Sequence, residues 1–216
     1  VGEWGGLEAV AHPFNVLFGV MVMILAINLG ALYAINNIDH PELEKRIRKC
    51  LIYSSRIFLL VLCAVLYMLF TMDGFAVNSE GIVSMEAYKY PHNLMQLPLA
   101  LILFVVGAVL LVGGIEYTMI APKFKRGIWL AGPGTVMVVM ALFMVVGYNG
   151  TAYYPSIADL QSSLTLQNSS SSEFTLTCMS IVSLIIPFVV AYIAYFWRKM
   201  DKRPITGEEL QSGESY

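Results

Sequence analysis

Few side chains in this sequence are placed to do chemistry. The histidines are His12, His40 and His92, and each flanks a proline, as His12–Pro13, His40–Pro41 and Pro91–His92. A haem or metal site inside a helical bundle needs His or carboxylate ligands on facing helices, often three or four residues apart on one helix. None of the three histidines has such a partner, so none is read as a ligand. The cysteines Cys50, Cys63 and Cys178 form no Cys-x-x-Cys pair. That leaves no structural zinc or dithiol redox motif, and Cys63 and Cys178 are read as helix packing residues. The twelve methionines are read as lipid-facing or packing residues. Gly-rich phosphate loops, nucleophile elbows and zinc motifs are also missing.

Two ionisable residues interrupt long apolar runs, Arg56 and Glu116. Charge within a membrane is costly and is therefore a functional candidate by default. Each lies about two turns from the basic end of its run. Either they meet as an ion pair near the inner leaflet, or each extends separately to the interface. Asp73 with Gly74 reads as an outer-side turn that ends a helix rather than as part of a proton path. Asn28 reads as an interhelical hydrogen-bonding residue. Ala26, Gly30 and Ala34 form a small-xxx-small stripe that lets another helix approach.

These residues must be carried by membrane-spanning elements. Of the 216 residues, 57% are hydrophobic and 13% charged, where a soluble domain carries about 25% charge. Mean hydropathy is +0.69. A net charge of −2 gives no reason to expect a nucleic-acid partner. A spanning helix needs about 20 mostly apolar residues, and five segments qualify: 14–36, 51–72, 94–119, 128–147 and 174–197. The fold class is all-α, a polytopic transmembrane helical bundle with residues 1–216 as one domain. Ser170 and Glu173 have capping-box spacing before the last helix. Gly132–Pro133–Gly134 reads as a kink. Asn149–Gly–Thr and Asn168–Ser–Ser match the glycosylation acceptor pattern on the outer side.

Orientation follows from Lys and Arg. Lys45, Arg46, Arg48, Lys49 and Arg56 gather around the first connection. Lys123, Lys125 and Arg126 lie in the third, and Arg198, Lys199, Lys202 and Arg203 in the tail. The opposite side holds Lys89. The bias places the first and third connections and the C-terminus in the cytoplasm. The chain starts at Val1 without a basic, signal-like segment, so it is expected to be the C-terminal part of a longer subunit. By residues alone it is a membrane subunit, or half of a larger transport or redox protein.

The last third carries recognisable residues. Ser162-Ser163-Leu164-Thr165, the serine run, Phe174-Thr175-Leu176, Pro187, Tyr192, Lys199–Met200 and Ile205-Thr206-x-Glu208 resemble the end of subunit II of bacterial cytochrome bd quinol oxidase. Upstream, Asp73–Gly74–Phe75 resembles that family's Asp-Gly-aromatic turn, and Pro13–Phe14 its Asn-Pro-Phe, with His12 replacing the Asn. The five helices resemble the last five of nine; the family's Gly-Phe-Asp and Trp-Asp-Gly motifs do not occur here.

The resemblance implies a bacterial inner-membrane complex that oxidises quinol and reduces dioxygen to water. It implies haem b and haem d in a partner, subunit I, and no haem in this chain, which would pack against subunit I and stabilise it. Membrane lipid, quinol or quinone, a structural quinone of the kind some members hold, and a small single-helix accessory subunit are the other implied partners. The alternatives are a piece of a secondary transporter, which would favour broken helices and mid-membrane substrate groups, or a scaffold without a redox partner.

Overall fold

The computed structural model describes residues 8–156, 159–200 and 205–206. It is built on five helices long and apolar enough to cross a membrane. In order, α1 (Glu8–Ala11) leads into α2 (Pro13–Asn37), and the short β1 (Ile38–Asp39) joins α3 (Pro41–Thr71). A hairpin of β2 (Gly74–Val77) and β3 (Val83–Glu86) follows, then α4 (Lys89–Gln96), α5 (Pro98–Ile120) and α6 (Ile128–Gly147). The second half ends in a short α7 (Leu166–Ser169), α8 (Glu173–Ser183), α9 (Ile186–Met200) and β4 (Ile205–Thr206).

Prolines set several starts. Pro13, Pro41 and Pro98 each occupy a first-turn position, where the missing N–H costs nothing and φ is already helical. Two boundaries therefore differ from the sequence expectation. The second spanning helix begins at Pro41 rather than residue 51, because its first ten residues are polar but helical. At roughly 1.5 Å per residue its 31 residues reach about 46 Å, longer than the ~30 Å hydrocarbon layer. The expected 94–119 helix is two helices, since Leu97 leaves helical geometry before Pro98. The last span, expected at 174–197, runs Glu173–Met200 and divides at Leu184–Ile185, before Pro187. By contrast, α6 stays continuous through Pro133. Its expected kink does not break the helix.

The helices pack chiefly as two antiparallel pairs, α2 on α3 and α5 on α6. Leu32, Ile35, Leu51, Phe58, Leu111 and Ile115 share one core cluster across them. The second pair is close because it is glycine-lined. A methyl at Gly107 would stand 2.8 Å from Gly134 O and 2.9 Å from Val138 N. One at Gly134 would stand 2.6 Å from Leu111 N. Such contacts need glycine and allow backbones to approach. None of the residues of α8 and α9 is buried in the chain.

At one end β2 pairs antiparallel with β3 from Gly74↔Glu86 to Val77↔Val83, and Thr151 bridges to Ala76. At the other end β1 pairs parallel with β4, so residues 205–206 lie against the α2–α3 connection.

Candidate functional site

The polar groups are sorted to the two ends of the bundle, with one small group inside. At the end opposite the hairpin, Arg48 projects from the polar first turns of α3. Its Nε donates to Glu44 at 3.0 Å, one helical turn back. Its Nη2 donates to Pro122 O at 2.8 Å and to Phe124 O at 3.4 Å, and its Nη1 donates to Thr118 O. The planar guanidinium thus covers Thr118 O at the end of α5 and two carbonyls of the connection that follows it. Lys125 completes the clamp, 3.1 Å from Glu44 and 3.4 Å from Asp39. The hydrogen bond to Glu44 is the main cause that pushes the Lys125 ammonium above its ordinary value, with the Glu44 charge and Asp39 adding to it. These contacts bring the α2–α3 and α5–α6 connections together, and the β1–β4 pair adds residues 205–206. Lys202 and Arg203, counted with the basic tail, and Glu208 lie outside the described residues.

Further in, Arg56 and Glu116 face each other across α3 and α5. Nη1 donates to Oε1 at 2.9 Å and Nη2 to Oε2 at 3.0 Å, the two-pronged geometry that Arg favours with a carboxylate. The Glu116 side chain is 23% exposed and that of Arg56 58%. Arg56 is therefore at the surface of the chain, not enclosed in it. Because α3 starts at Pro41, Arg56 stands about four turns along it.

Asn28 is fully buried, and its Oδ1 accepts from Ser54 Oγ at 2.5 Å, linking α2 to α3. Buried Ser55 and Thr118 turn their hydroxyls to their own helix, to Ile52 O and Gly114 O. The stripe on α2 lies elsewhere: Ala26 and Gly30 are exposed and Ala34 is half-buried. An added methyl at Gly30 would meet nothing within 4 Å. The stripe faces away from the helices of this chain.

At the hairpin end Asn93 on α4 is the hub, fully buried. Its Nδ2 donates to Val145 O at 2.8 Å and to Thr151 Oγ1 at 2.7 Å. Its Oδ1 accepts from Asn149 Nδ2 at 3.1 Å. The turn after α6 holds Asn149 and Gly150 at φ 58° and 62°, the left-handed pair that suits Asn-Gly. Val77 N donates to Gly150 O at 2.7 Å. Gln161 spans β3 by donating to Val83 O and accepting from Val83 N. Asp73 is exposed, and Gly74 opens β2. A methyl at Gly74 would lie 2.5 Å from Lys89 Cβ, so this turn needs glycine for space.

Several expectations change here. The capping box belongs to Thr165 and Asn168, not to Ser170 and Glu173. The last span is capped by Ser172, whose Oγ accepts from Thr175 N. Cys63 and Cys178, read as packing residues, are exposed on this chain. Of the two acceptor-pattern asparagines, Asn149 is held by Asn93 and Gln96, and Asn168 Nδ2 donates to Ser163 O. Arg48 and Asn93 were missed as organising residues. The sequence showed Arg48 only as one charge among many, and a single Asn before a proline break has no distinctive spacing.

The three histidines are not arranged as haem ligands. His12 is the N-cap of α2 and His40 the N-cap of α3, with His40 Nδ1 accepting from Leu43 N. His92 sits on α4, 3.6 Å from Glu86. All three stand at helix ends or on the short α4 rather than within a spanning helix, so they do not make an axial pair on facing helices. Among the described residues no three His, Cys, Asp or Glu side chains cluster as a metal site.

No curated protein matches the chain. A family model described as cytochrome bd terminal oxidase subunit II matches residues 2–200. With that match the chain belongs to the cytochrome bd terminal oxidase subunit II family.

Proposed function

We propose, from this chain's place in the cytochrome bd terminal oxidase subunit II family, that it is the haem-free subunit of a quinol:oxygen oxidoreductase in the bacterial cytoplasmic membrane. Membership of an oxidoreductase complex and a multi-pass architecture are established by the family match and the five spans. The finer reading is that it binds and stabilises the haem-bearing subunit I. The family match carries that reading. A final span that none of this chain's own helices buries also supports it.

When bound in subunit I, haem b and haem d would pass electrons from quinol to dioxygen. This chain's residues hold the frame. Arg48 and Lys125 tie the connections at the basic end, and Asn93 ties the hairpin end. The Arg56–Glu116 pair lies on the surface where another subunit or lipid would meet it. The basic end, with Lys45, Arg46, Lys49, Lys123, Arg126, Arg198 and Lys199, faces the cytoplasm in this reading. The C-terminus is on the same side.

The test is a reduced-minus-oxidised absorption spectrum of the gently solubilised native complex, with mass identification of its chains. Bands of b- and d-type haem, with all haem assigned to a larger partner chain, are expected. Haem bound to this chain, or a fully assembled preparation without haem, would overturn the reading.

A further inference from the structure

One face of α3 carries charge that this chain leaves open. Lys45, Lys49, Ile52, Tyr53, Arg56 and Leu60 are all exposed, and at 3.6 residues per turn they fall within about 80° of one another around the helix. Arg46, also exposed, flanks them. Among the described residues no carboxylate pairs with Lys45, Arg46 or Lys49. Glu42 is exposed on the same face, about one turn beyond Lys45, so the positive excess is centred lower, near Lys49.

Depth says what meets that charge. From Leu51 to Thr71 α3 rises about 30 Å, the thickness of the hydrocarbon layer. Lys49 then stands among the headgroups, and Arg56 about 8 Å inside the hydrocarbon. Two N–H groups of the Arg56 guanidinium go to Glu116, out of the five that Arg carries, and the side chain is still 58% exposed. No water at that depth takes up the remaining donors, so an acceptor has to reach them from the interface. A lipid phosphate and its ester carbonyls lie at that level. Lys49 is about 10 Å above Arg56 along the axis, so the two long side chains approach one phosphate from either side. Tyr53 between them has the amphipathic ring favoured at the interface. Any phospholipid offers the phosphate, but the unpaired lysines select a head with net negative charge.

We infer that this face of α3 seats one anionic phospholipid of the leaflet at the basic end. Its phosphate lies between Lys49 and Arg56, Lys45 faces the outer part of the head, and an acyl chain follows Ile52 and Leu60. Arg56 keeps its bond to Glu116 and gives its free N–H groups to the lipid. This placement needs only α3 and its charges, and it holds whichever subunit carries haem.

The experiment uses the intact native complex, loaded at low ratio with phosphatidylglycerol bearing a diazirine on one acyl chain, or with phosphatidylcholine bearing the same chain. After irradiation, labelled peptides are mapped by mass spectrometry. The phosphatidylglycerol probe should label residues 49–60 at least five-fold more than the phosphatidylcholine probe, and excess unlabelled phosphatidylglycerol should abolish that label. Lys45→Gln/Lys49→Gln should lower it at least five-fold while leaving the complex's chain composition unchanged. Equal labelling by the two probes would reduce the face to ordinary annular contact and overturn the inference. A label that survives the double substitution would overturn the assigned seat. Absence of label from both probes, with this stretch crosslinked to a partner chain instead, would give the face to a protein. If the double variant does not assemble, the headgroup preference and the competition in the unaltered complex decide.

Discussion

Arg56 and Glu116 are sixty residues apart in sequence and are joined by two hydrogen bonds of 2.9 and 3.0 Å. The pair connects α3 to α5, so it links the two helical hairpins that otherwise pack mostly within themselves. Exposed ion pairs contribute about 0.2–1 kcal/mol, and polar contacts between membrane helices average about 0.6 kcal/mol. Arg56→Ala and Glu116→Ala should each lower thermal stability of the detergent-solubilised complex by no more than about 1 kcal/mol. The Arg56→Glu/Glu116→Arg double variant should recover most of that loss. If the swap is no better than the single variants, the two residues act separately.

The glycines of the α5–α6 contact should be far less tolerant than the glycine of the α2 stripe. Gly107→Ala and Gly134→Ala each place a methyl against backbone under 3.0 Å away. The helices must then separate, at about 1–3 kcal/mol each. Gly30→Ala has open space around it and should leave the chain's own stability unchanged. Gly30→Leu then probes the stripe itself: loss of a co-purifying partner chain without loss of this chain's helicity would place a helix on Ala26, Gly30 and Ala34. Co-purification and circular dichroism on the same samples check both expectations.

Asn93 should be the costliest polar residue at the hairpin end. Asn93→Leu removes three hydrogen bonds and leaves Val145 O, Thr151 and Asn149 to find new partners. Each buried group left unpaired costs about 1–3 kcal/mol. The expected result is early local opening, read as faster hydrogen exchange in 74–86 and 148–152 while α2 and α3 are unaffected. Uniform loss of protection across all helices would instead mean that Asn93 supports the whole bundle.

The basic-end clamp has a defined pH dependence. Lys125 is held above its ordinary value of 10.5, first by its hydrogen bond to Glu44. A group whose folded value is raised contributes fully below its unfolded value and loses that contribution as pH climbs through the folded value. The Lys125 contribution should therefore be constant across the neutral range and weaken in strongly alkaline buffer. Against burial, which raises it, Lys125 and Arg48 hold the Glu44 value below the ordinary one, so Glu44 loses its contribution as pH falls through that value in acid. Lys125→Gln should show no further loss in alkaline buffer. Arg48→Lys keeps a charge but loses the fork that reaches three carbonyls, so it should destabilise the α5–α6 connection at every pH. Limited proteolysis between residues 120 and 128 measures both.

The number and placement of spans were readable from the chain because lipid cannot satisfy backbone polar groups. Any uncharged run of about 20 apolar residues must then be helical. The segregation of Lys and Arg was equally readable. Boundaries were less so. The polar first turns of α3 carry no hydropathy signal, and the break at Leu97 depends on how Pro98 is accommodated. Gly107 sits inside α5, and no local pattern shows that its worth lies in the close approach of Gly134.

The sequence by itself determined that this is a five-span helical membrane chain with one basic end, since burial of apolar surface and the cost of charge in lipid act on each segment alone. Only the tertiary structure decided which polar groups meet. Arg48 reaches the end of α5, Arg56 reaches Glu116, and Asn93 gathers the hairpin end. These are contacts between residues 50 to 80 positions apart in sequence. They depend on helix register and crossing, which no local pattern encodes.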